Sequence, residues 1–370
     1  KKLLSPRYQF DPAHPYTPSV SPLQRDLIQQ VRTKLETGEY KLIPSQCTCG
    51  VTDRQQTIAQ IDRYGLPLQS VVCLNCGTVR IDPYLDEPSL SDFYTHIYRR
   101  MYGMDVDEGN YDRYFAEQSH YAQKVLSVAE NFLTSDSWIC EVGCGAGGAL
   151  KYIQDQGYKV AGCEYDSTAM EMGKKHGVNT LFYGSLEAIG EELPNIKFDL
   201  IYLHHVFEHL TDPIEFLQKC KNYLTPQGKV IIIIPDISRI DQFGHLPAIG
   251  NALMYLHIAH KYNFSWEGIK QLCQRAGYSV KKLNPDPNIY SPWSESPELW
   301  VQMSLEPQQS VASFSLSSSN DAGLKMLKYL QRTEKLYSMG LCQGQVWNKF
   351  KALQSPQRVF NKLQKIFVSR

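Results

Sequence analysis

An open, mostly parallel α/β sheet with helices on both faces is the fold class that residues 136–306 predict, and three observations predict it. From Trp138 onward, short apolar runs alternate with stretches of helical spacing, the pattern of consecutive βαβ units. Two of the runs, Phe198–Leu203 and Lys229–Ile234, are continuously apolar, as strands buried on both faces must be. A glycine-rich turn, Gly143-Cys144-Gly145-Ala146-Gly147, stands where the first strand gives way to a helix.

The elements follow in order along the chain. Residues 1–46 are rich in Pro and polar groups and carry one helical stretch near Leu23–Leu35; they read as an N-terminal extension. Residues 47–82 hold a cysteine cluster and short β-like runs such as Leu68–Val72, and form a small module of their own. Residues 83–135 read as a helical connector, with Tyr121, Val125, Val128, Ala129 and Phe132 spaced by three and four. The sheet domain, 136–306, opens with a strand at Ser137–Val142 and a helix at Ala149–Gln156 closed by Gly157. A strand at Lys159–Cys163, a helix at Thr168–His176 closed by Gly177, and a short strand near Thr180–Phe182 follow. Helices are expected at Pro213–Leu224, with proline at its start, and at Ser265–Ala276, ended by Gly277. Two late strands, Tyr278–Lys282 and Glu298–Ser304, complete the set. Residues 307–320 are a Ser-rich linker and 321–370 a basic helical tail.

Composition narrows the function. Lys+Arg and Asp+Glu both number 38, so the formal charge is zero, and a protein that grips nucleic acid by its phosphates normally shows a basic surplus. The charge is uneven: Asp321–Arg370 holds ten Lys/Arg against two acids. Within it Val359, Phe360, Leu363, Ile366 and Phe367 keep helical spacing behind Ser355-Pro356, with Arg358, Lys362 and Lys365 beside the polar face. That helix suits packing on the chain or on a second subunit, and equally a peripheral contact with an anionic membrane. The opening Lys1-Lys2-Leu3-Leu4-Ser5-Pro6 lacks an apolar core of signal-peptide length, and no run is long enough to span a bilayer. Ten cysteines are too sparse for a disulfide scaffold, so a cytoplasmic location is expected.

Four of those cysteines make a candidate metal site. Cys47-x-Cys49 and Cys73-x-x-Cys76 lie within 30 residues, and Cys49-Gly50 and Cys76-Gly77 have the Cys-Gly ending that permits a tight turn. Four thiolates predict a structural zinc with no position open to substrate. The first pair is one residue short of Cys-x-x-Cys, with Gln46 where a ligand would be expected. A site that has lost its metal, or a redox pair, is the other reading.

The glycine turn is the candidate ligand loop. Glycines there let backbone approach a ligand, and the following helix amides can face polar groups. Glu164 falls at the end of the next strand, 21 residues after Gly143, where a carboxylate can accept both hydroxyls of a ribose. The glycine spacing does not match Gly-x-Gly-x-x-Gly, which argues against a nicotinamide cofactor.

With these residues in view, 138–235 resemble the class I S-adenosylmethionine-dependent methyltransferases. Glu141–Gly147 matches their first motif and Glu164 their ribose acid; Phe198–Leu210 is similar to the fourth-strand motif, and Asp212-Pro213 and Leu224–Lys229 to the helix and turn that follow. The resemblance implies a Rossmann-like sheet of seven strands, the last antiparallel, behind a small zinc-ribbon-like N-terminal module and ahead of a helical tail. It implies S-adenosyl-L-methionine as cofactor, held by Glu141, Gly143, Cys144, Gly145, Gly147, Glu164 and Tyr165, with Ser185, Leu186 and His204 beside it. One departure is that Gly184-Ser185-Leu186-Glu187 lacks the Asp that often meets the adenine amine. Methyl transfer needs alignment and at most a base. His209 is the first choice for that base and His205 the second, next to Glu208; a Glu-His pair that only caps the loop is the plainer alternative. Quinone-ring O-methyltransferases have Glu-x-x-Glu-His, but His205 replaces the first Glu, which argues against a catalytic metal. Sugar C-methyltransferases pair an N-terminal zinc module with this kind of domain. The expectation is an EC 2.1.1 enzyme acting on a small molecule, best a sugar, sugar nucleotide or polysaccharide precursor. An RNA methyltransferase and a non-catalytic cofactor-binding module are the alternatives.

Overall fold

The computed structural model describes residues 3–11, 20–102, 108–242, 252–289, 297–306 and 321–340. The Ser-rich linker, the amphipathic stretch 355–367 and the aromatics Tyr290 and Trp293 lie outside the described residues.

The first helix, α1 (Pro22–Thr37), starts at a capping box in which Ser21 and Gln24 satisfy each other's backbone N–H, and Gly38 ends it in the left-handed conformation. Strands β1 (Leu42–Ile43) and β5 (Tyr84–Leu85) pair across the mouth of the cysteine module. Inside it, β2 (Gln55–Ala59), β3 (Ser70–Cys73) and β4 (Val79–Ile81) form an antiparallel meander. Next come α2 (Glu87–Phe93), one π-helical turn over Tyr94–Tyr98, the short α3 (Arg99–Met101), and the long α4 (Glu108–Ala129).

The main sheet is built from β6 (Trp138–Val142), α5 (Gly148–Asp155), β7 (Lys159–Glu164), α6 (Ser167–Lys175), β8 (Leu181–Tyr183), α7 (Leu186–Glu192), β9 (Phe198–His204), α8 (Pro213–Cys220) and β10 (Leu224–Pro235). After a detour through β11 (Tyr262–Asn263), α9 (Trp266–Ala276), β12 (Tyr278–Leu283) and β13 (Glu298–Leu305) complete it. Its order is β12-β13-β10-β9-β6-β7-β8, seven strands with β13 antiparallel to both neighbours. This is the Rossmann-like arrangement expected. Val230–Ile234 is fully buried, with Val230, Ile232 and Ile234 on one face and Ile231 and Ile233 on the other, each in its own core. The continuous apolar run is therefore the signature of a strand covered twice.

The cysteine sheet is not drawn from one stretch of chain. Strand β11, from beyond β10, pairs antiparallel with β4 as its fourth strand. The final helix, α10 (Ala322–Ser338), lies on the same module: Met326, Leu327 and Leu330 pack with Tyr8, Ile58, Val72, Val79 and Leu253. Glu334, nearly sealed from solvent, receives hydrogen bonds from Arg7 at 2.6 Å, Ser5 at 2.7 Å and Tyr8 at 2.9 Å, tying the two ends of the described chain together. Among the described residues no helix is long and apolar enough to cross a membrane.

Candidate active site and metal centre

The carboxyl edge of β6 is where the sheet opens. After Val142 the backbone turns through Gly143 at φ +74° and Gly145 at φ +54°. A Cβ on Gly143 would lie 2.5 Å from Val206, and one on Gly145 2.7 Å from the Tyr114 hydroxyl, so both the turn and its surroundings demand glycine. Helix α4 lies over this loop: Gln118 donates to the Cys144 carbonyl at 2.9 Å and accepts from the Gly148 N–H at 3.0 Å. The Cys144 side chain is buried beneath the loop, and Gly147 caps α5.

Glu141 sits below the turn, 1% exposed, accepting a 2.6 Å bond from Tyr121 of α4. Burial pushes its pKa up to about 8. Glu164 stands at the rim and accepts from Gly145 N at 2.9 Å, Tyr165 N at 2.7 Å and Asp166 N at 3.0 Å. Beside it Asp166 caps α6, takes the Tyr111 hydroxyl at 2.8 Å and pairs with Arg99 at 2.7 Å. The Tyr165 ring is 67% exposed and meets Tyr183 edge to face at 5.9 Å. Ser185 bonds Glu187 at 2.6 Å, and Leu186 is buried in the core under the sheet.

The loop after β9 gathers the ionisable groups. His204 is stacked on Tyr121 at 4.0 Å and meets Glu298, at the start of β13, at 3.3 Å. His205, at φ +54°, is the one described non-glycine residue in the left-handed region, and its Nε2 lies 3.0 Å from Glu298 while Nδ1 lies 3.5 Å from Glu208. Burial alone would strip its proton, but the two carboxylates outweigh burial and hold its pKa at about 10. Trp300 adds a 2.9 Å bond to Glu298. Glu208 is 1% exposed and neither carboxylate oxygen has a hydrogen-bond partner. His209 is half-buried; Tyr94 of the π turn meets its Nδ1 at 2.8 Å, and burial lowers its pKa. The His260 ring lies 4.9 Å from it, and His257 is 3.6 Å beyond.

Among the sequence-predicted residues, the structure thus brings Glu164, Gly143, Gly145, His204, His205, Glu208 and His209 to one sheet edge, and places Leu186 and the Cys144 thiol in the core and the Tyr165 ring in solvent. Sequence reasoning missed Tyr94, Arg99, Tyr111, Tyr114, Gln118, His257, His260 and Glu298. A signal existed for the first: Tyr94, Tyr98 and Tyr102 recur every four residues, and His257 and His260 are three apart, both the spacing of one face. Glu298 carried none.

The four cysteines converge although the first pair is short. The Sγ atoms of Cys47 and Cys76 are 3.5 Å apart, Cys47 and Cys49 3.5 Å, and Cys49 and Cys73 3.7 Å, with all four buried. Tetrahedral zinc with Zn–S of about 2.3 Å needs sulfurs about 3.8 Å apart, so this donor set fits the ion. Crowding among the thiols holds Cys73 well below and Cys47 well above the ordinary thiol range. The cysteine cluster can hold a metal ion.

Residues 112–283 match a family model described as a methyltransferase domain. Phosphoethanolamine N-methyltransferase of Plasmodium falciparum is 30% identical over 115 residues, 30% of this chain and 42% of that protein. A ubiquinone biosynthesis O-methyltransferase of Pseudomonas fluorescens is 25% identical over 169 residues, 44% of this chain and 65% of that one. The chain spans about half the length of the curated relatives it matches. Among solved structures, the plantazolicin methyltransferase BamL, in complex with a triazolic desmethylPZN analog and SAH, is 17% identical, covers 59% of this chain and 94% of its own, and has a TM-score of 0.44.

Proposed function

We propose a small-molecule methyl transfer from the premise that residues 112–283 of this chain belong to the class I S-adenosylmethionine-dependent methyltransferases. The loop 143–147 and Glu164 hold S-adenosylmethionine. The positive-φ glycine turn at the carboxyl edge of β6 supports this, and so does the rim carboxylate Glu164, which accepts the Gly145 N–H of that turn at 2.9 Å and lies 3.9 Å from Arg99. When bound, the cofactor supplies a methyl group on a sulfonium. The chain's own residues do the rest. Helix α4 covers the loop through Tyr114 and Gln118 and limits water. Arg99 braces Asp166 beside the ribose acid.

The observation that carries the acceptor chemistry is His209. Its Nδ1 is tethered by Tyr94, and burial keeps the imidazole neutral, so it can take the proton leaving an acceptor hydroxyl or carbon acid. Glu208, which already lies 3.5 Å from His205 and 3.8 Å from His260, adds its charge to stabilise the imidazolium so formed, while His205 stays cationic between Glu208 and Glu298. The polar cluster of Tyr94, Tyr98, His257 and His260 beside His209 suits a hydroxyl-rich acceptor, which supports a sugar, sugar nucleotide or polysaccharide precursor. Zinc in the four-cysteine site is structural, and the protein works in the cytoplasm.

The test combines binding and turnover. S-adenosylhomocysteine should bind the wild type and His209→Asn alike, while Glu164→Ala weakens it by about 1–3 kcal/mol. With radiolabelled methyl donor and a panel of sugar nucleotides, His209→Asn should lose about 10²–10⁴-fold in turnover. Equal turnover would remove His209 as the base; absence of S-adenosylhomocysteine binding in the wild type would sink the function.

A further inference from the structure

The cysteine module sends one residue toward the acceptor histidines that the chemistry above does not use. Arg63 lies in the turn between β2 and β3, and its guanidinium has no carboxylate within ion-pair distance among the described residues. Its neighbour Asp62 supplies charge but no direct contact, because that buried carboxylate accepts from three backbone N–H groups: Tyr64 at 2.8 Å and Leu66 at 3.0 Å on one oxygen, Ile258 at 3.1 Å on the other. Those bonds fix the turn and lock it to segment 254–258, where the Arg63 N–H also bonds the Leu256 carbonyl at 2.7 Å. Arg63 is therefore held in place, not left to swing in solvent.

The head group is framed by phenols. It lies 4.7 Å from the Tyr64 ring centroid and 5.0 Å from that of Tyr102, donates to the Tyr64 hydroxyl at 2.6 Å, and reaches the Met254 carbonyl at 3.3 Å. Two neutral acceptors leave most of a guanidinium's five N–H donors uncommitted. Asp62 favours the cation from beside it, but the guanidinium has no direct carboxylate contact among the described residues, so its remaining N–H donors are open to an incoming anion.

Arg63 also ends a row that begins at the base. His209 and His260 are 4.9 Å apart, His260 and His257 3.6 Å, His257 and Tyr102 5.4 Å, and Tyr102 borders the guanidinium. The two middle imidazoles are neutral, because burial strips their protons and the Arg63 charge works in the same direction. The row is thus polarised: carboxylates Glu208 and Glu298 lie at the sheet end and the Arg63 guanidinium at the module end.

We infer that Arg63, with the Tyr64 hydroxyl, is a binding site for an oxyanion carried by the acceptor, a phosphate ester or a carboxylate, placed several bonds from the atom that His209 deprotonates. A planar guanidinium matches the paired oxygens of either group. Tyr64, whose oxygen accepts from Arg63, keeps its own O–H to donate. The site orients the acceptor with its anion at the cysteine module and its nucleophile at the sheet. This rests on the methyltransferase reading only for what the anion is attached to.

The experiment uses the full chain with its metal. Phosphate, pyrophosphate and acetate are titrated at constant ionic strength, with thermal shift and calorimetry as readouts, and S-adenosylhomocysteine in a separate arm. The wild type should bind at least one anion saturably; pyrophosphate over acetate identifies a phosphate ester, the reverse a carboxylate. Arg63→Met should weaken that anion at least tenfold and keep S-adenosylhomocysteine affinity within twofold. Arg63→Lys, which keeps the charge and loses the fork, should weaken the anion at least threefold and serves if Arg63→Met fails to fold. No saturable anion binding in the wild type, or unchanged affinity in the variants, overturns the site. Anion binding without S-adenosylhomocysteine binding supports the site while removing the methyl-transfer reading.

Discussion

The seven-stranded sheet and the cysteine module close their interiors by different means. The sheet does so with apolar bulk: residues 230–234 are five consecutive aliphatic side chains with no exposure, and helices cover both faces. The module has strands of two to five residues, too short to bury much, and its centre is four thiols. It compensates by importing cover, β11 on one edge and α10 across β3. The sheet draws its core from its own stretch of chain, whereas the module draws on two distant segments and carries a thiol cluster that can hold a metal ion. This matters for chemistry, because the π turn beside the module supplies Tyr94, which meets His209 on the sheet edge, and the module supplies Arg63, which lies over the Tyr102 ring.

The largest expected effect tests that dependence. Cys73→Ser, or removal of metal by a strong chelator, should unfold the module, since metal binding to such sites contributes on the order of 10 kcal/mol of folding free energy. Metal analysis should find about one zinc per chain before and none after. Hydrogen exchange should then rise across β2–β4, β11 and α10 while β6, β9 and β10 stay protected. Metal-free protein with unchanged exchange would erase the contrast between the two regions.

What could be read from the sequence divides along the same line. The sheet was legible because each strand's burial is written in its own residues, as in Phe198–Leu203, and because Gly143 to Glu164 keep their spacing within one βαβ unit. The cysteine cluster was legible by residue type. The fourth strand of the module was not, because Tyr262–Asn263 is two residues long and acquires its role only by pairing with Val79 and Arg80. Glu298 was equally hidden: it stands 93 residues from His205, and nothing local marks a carboxylate that two imidazoles require. The ionisable cluster around His209 draws on residues 94–102, 204–209, 257–260 and 298, so no window of sequence contains it.

A middle-sized effect probes the sheet's one polar flaw beneath the glycine turn. Glu141 has its pKa raised by burial to about 8 from an ordinary 4.5. A raised carboxylate contributes stability fully present below the unfolded value and lost as pH climbs through the folded one. Glu141→Gln stays neutral throughout and can still accept from Tyr121. Its melting temperature relative to the wild type should therefore rise steadily between pH 5 and pH 9, by an amount equivalent to at most a few kcal/mol. A flat difference would mean that Glu141 is already ionised and solvated in the folded chain.

The smallest effect concerns the seam where α10 meets the module, and two physical terms of opposite sign decide it. Gly323 is the second residue of α10, and replacing glycine by alanine inside a helix ordinarily stabilises by about 1 kcal/mol. Here a Cβ would lie 2.1 Å from the Leu74 carbonyl carbon and 2.4 Å from the Cys73 carbonyl oxygen, both backbone atoms at the cysteine cluster. Backbone in the tight Cys73–Gly77 turn cannot easily step aside, so overpacking of about 1–3 kcal/mol should outweigh the propensity gain. Gly323→Ala is expected to lower the melting temperature and to speed metal loss to a chelator, leaving S-adenosylhomocysteine affinity unchanged. Leu324→Ala, one residue on and exposed, should do neither. A stabilised Gly323→Ala would show that propensity wins and that α10 rests loosely on the module; it would then be cover that the cysteine sheet does not need.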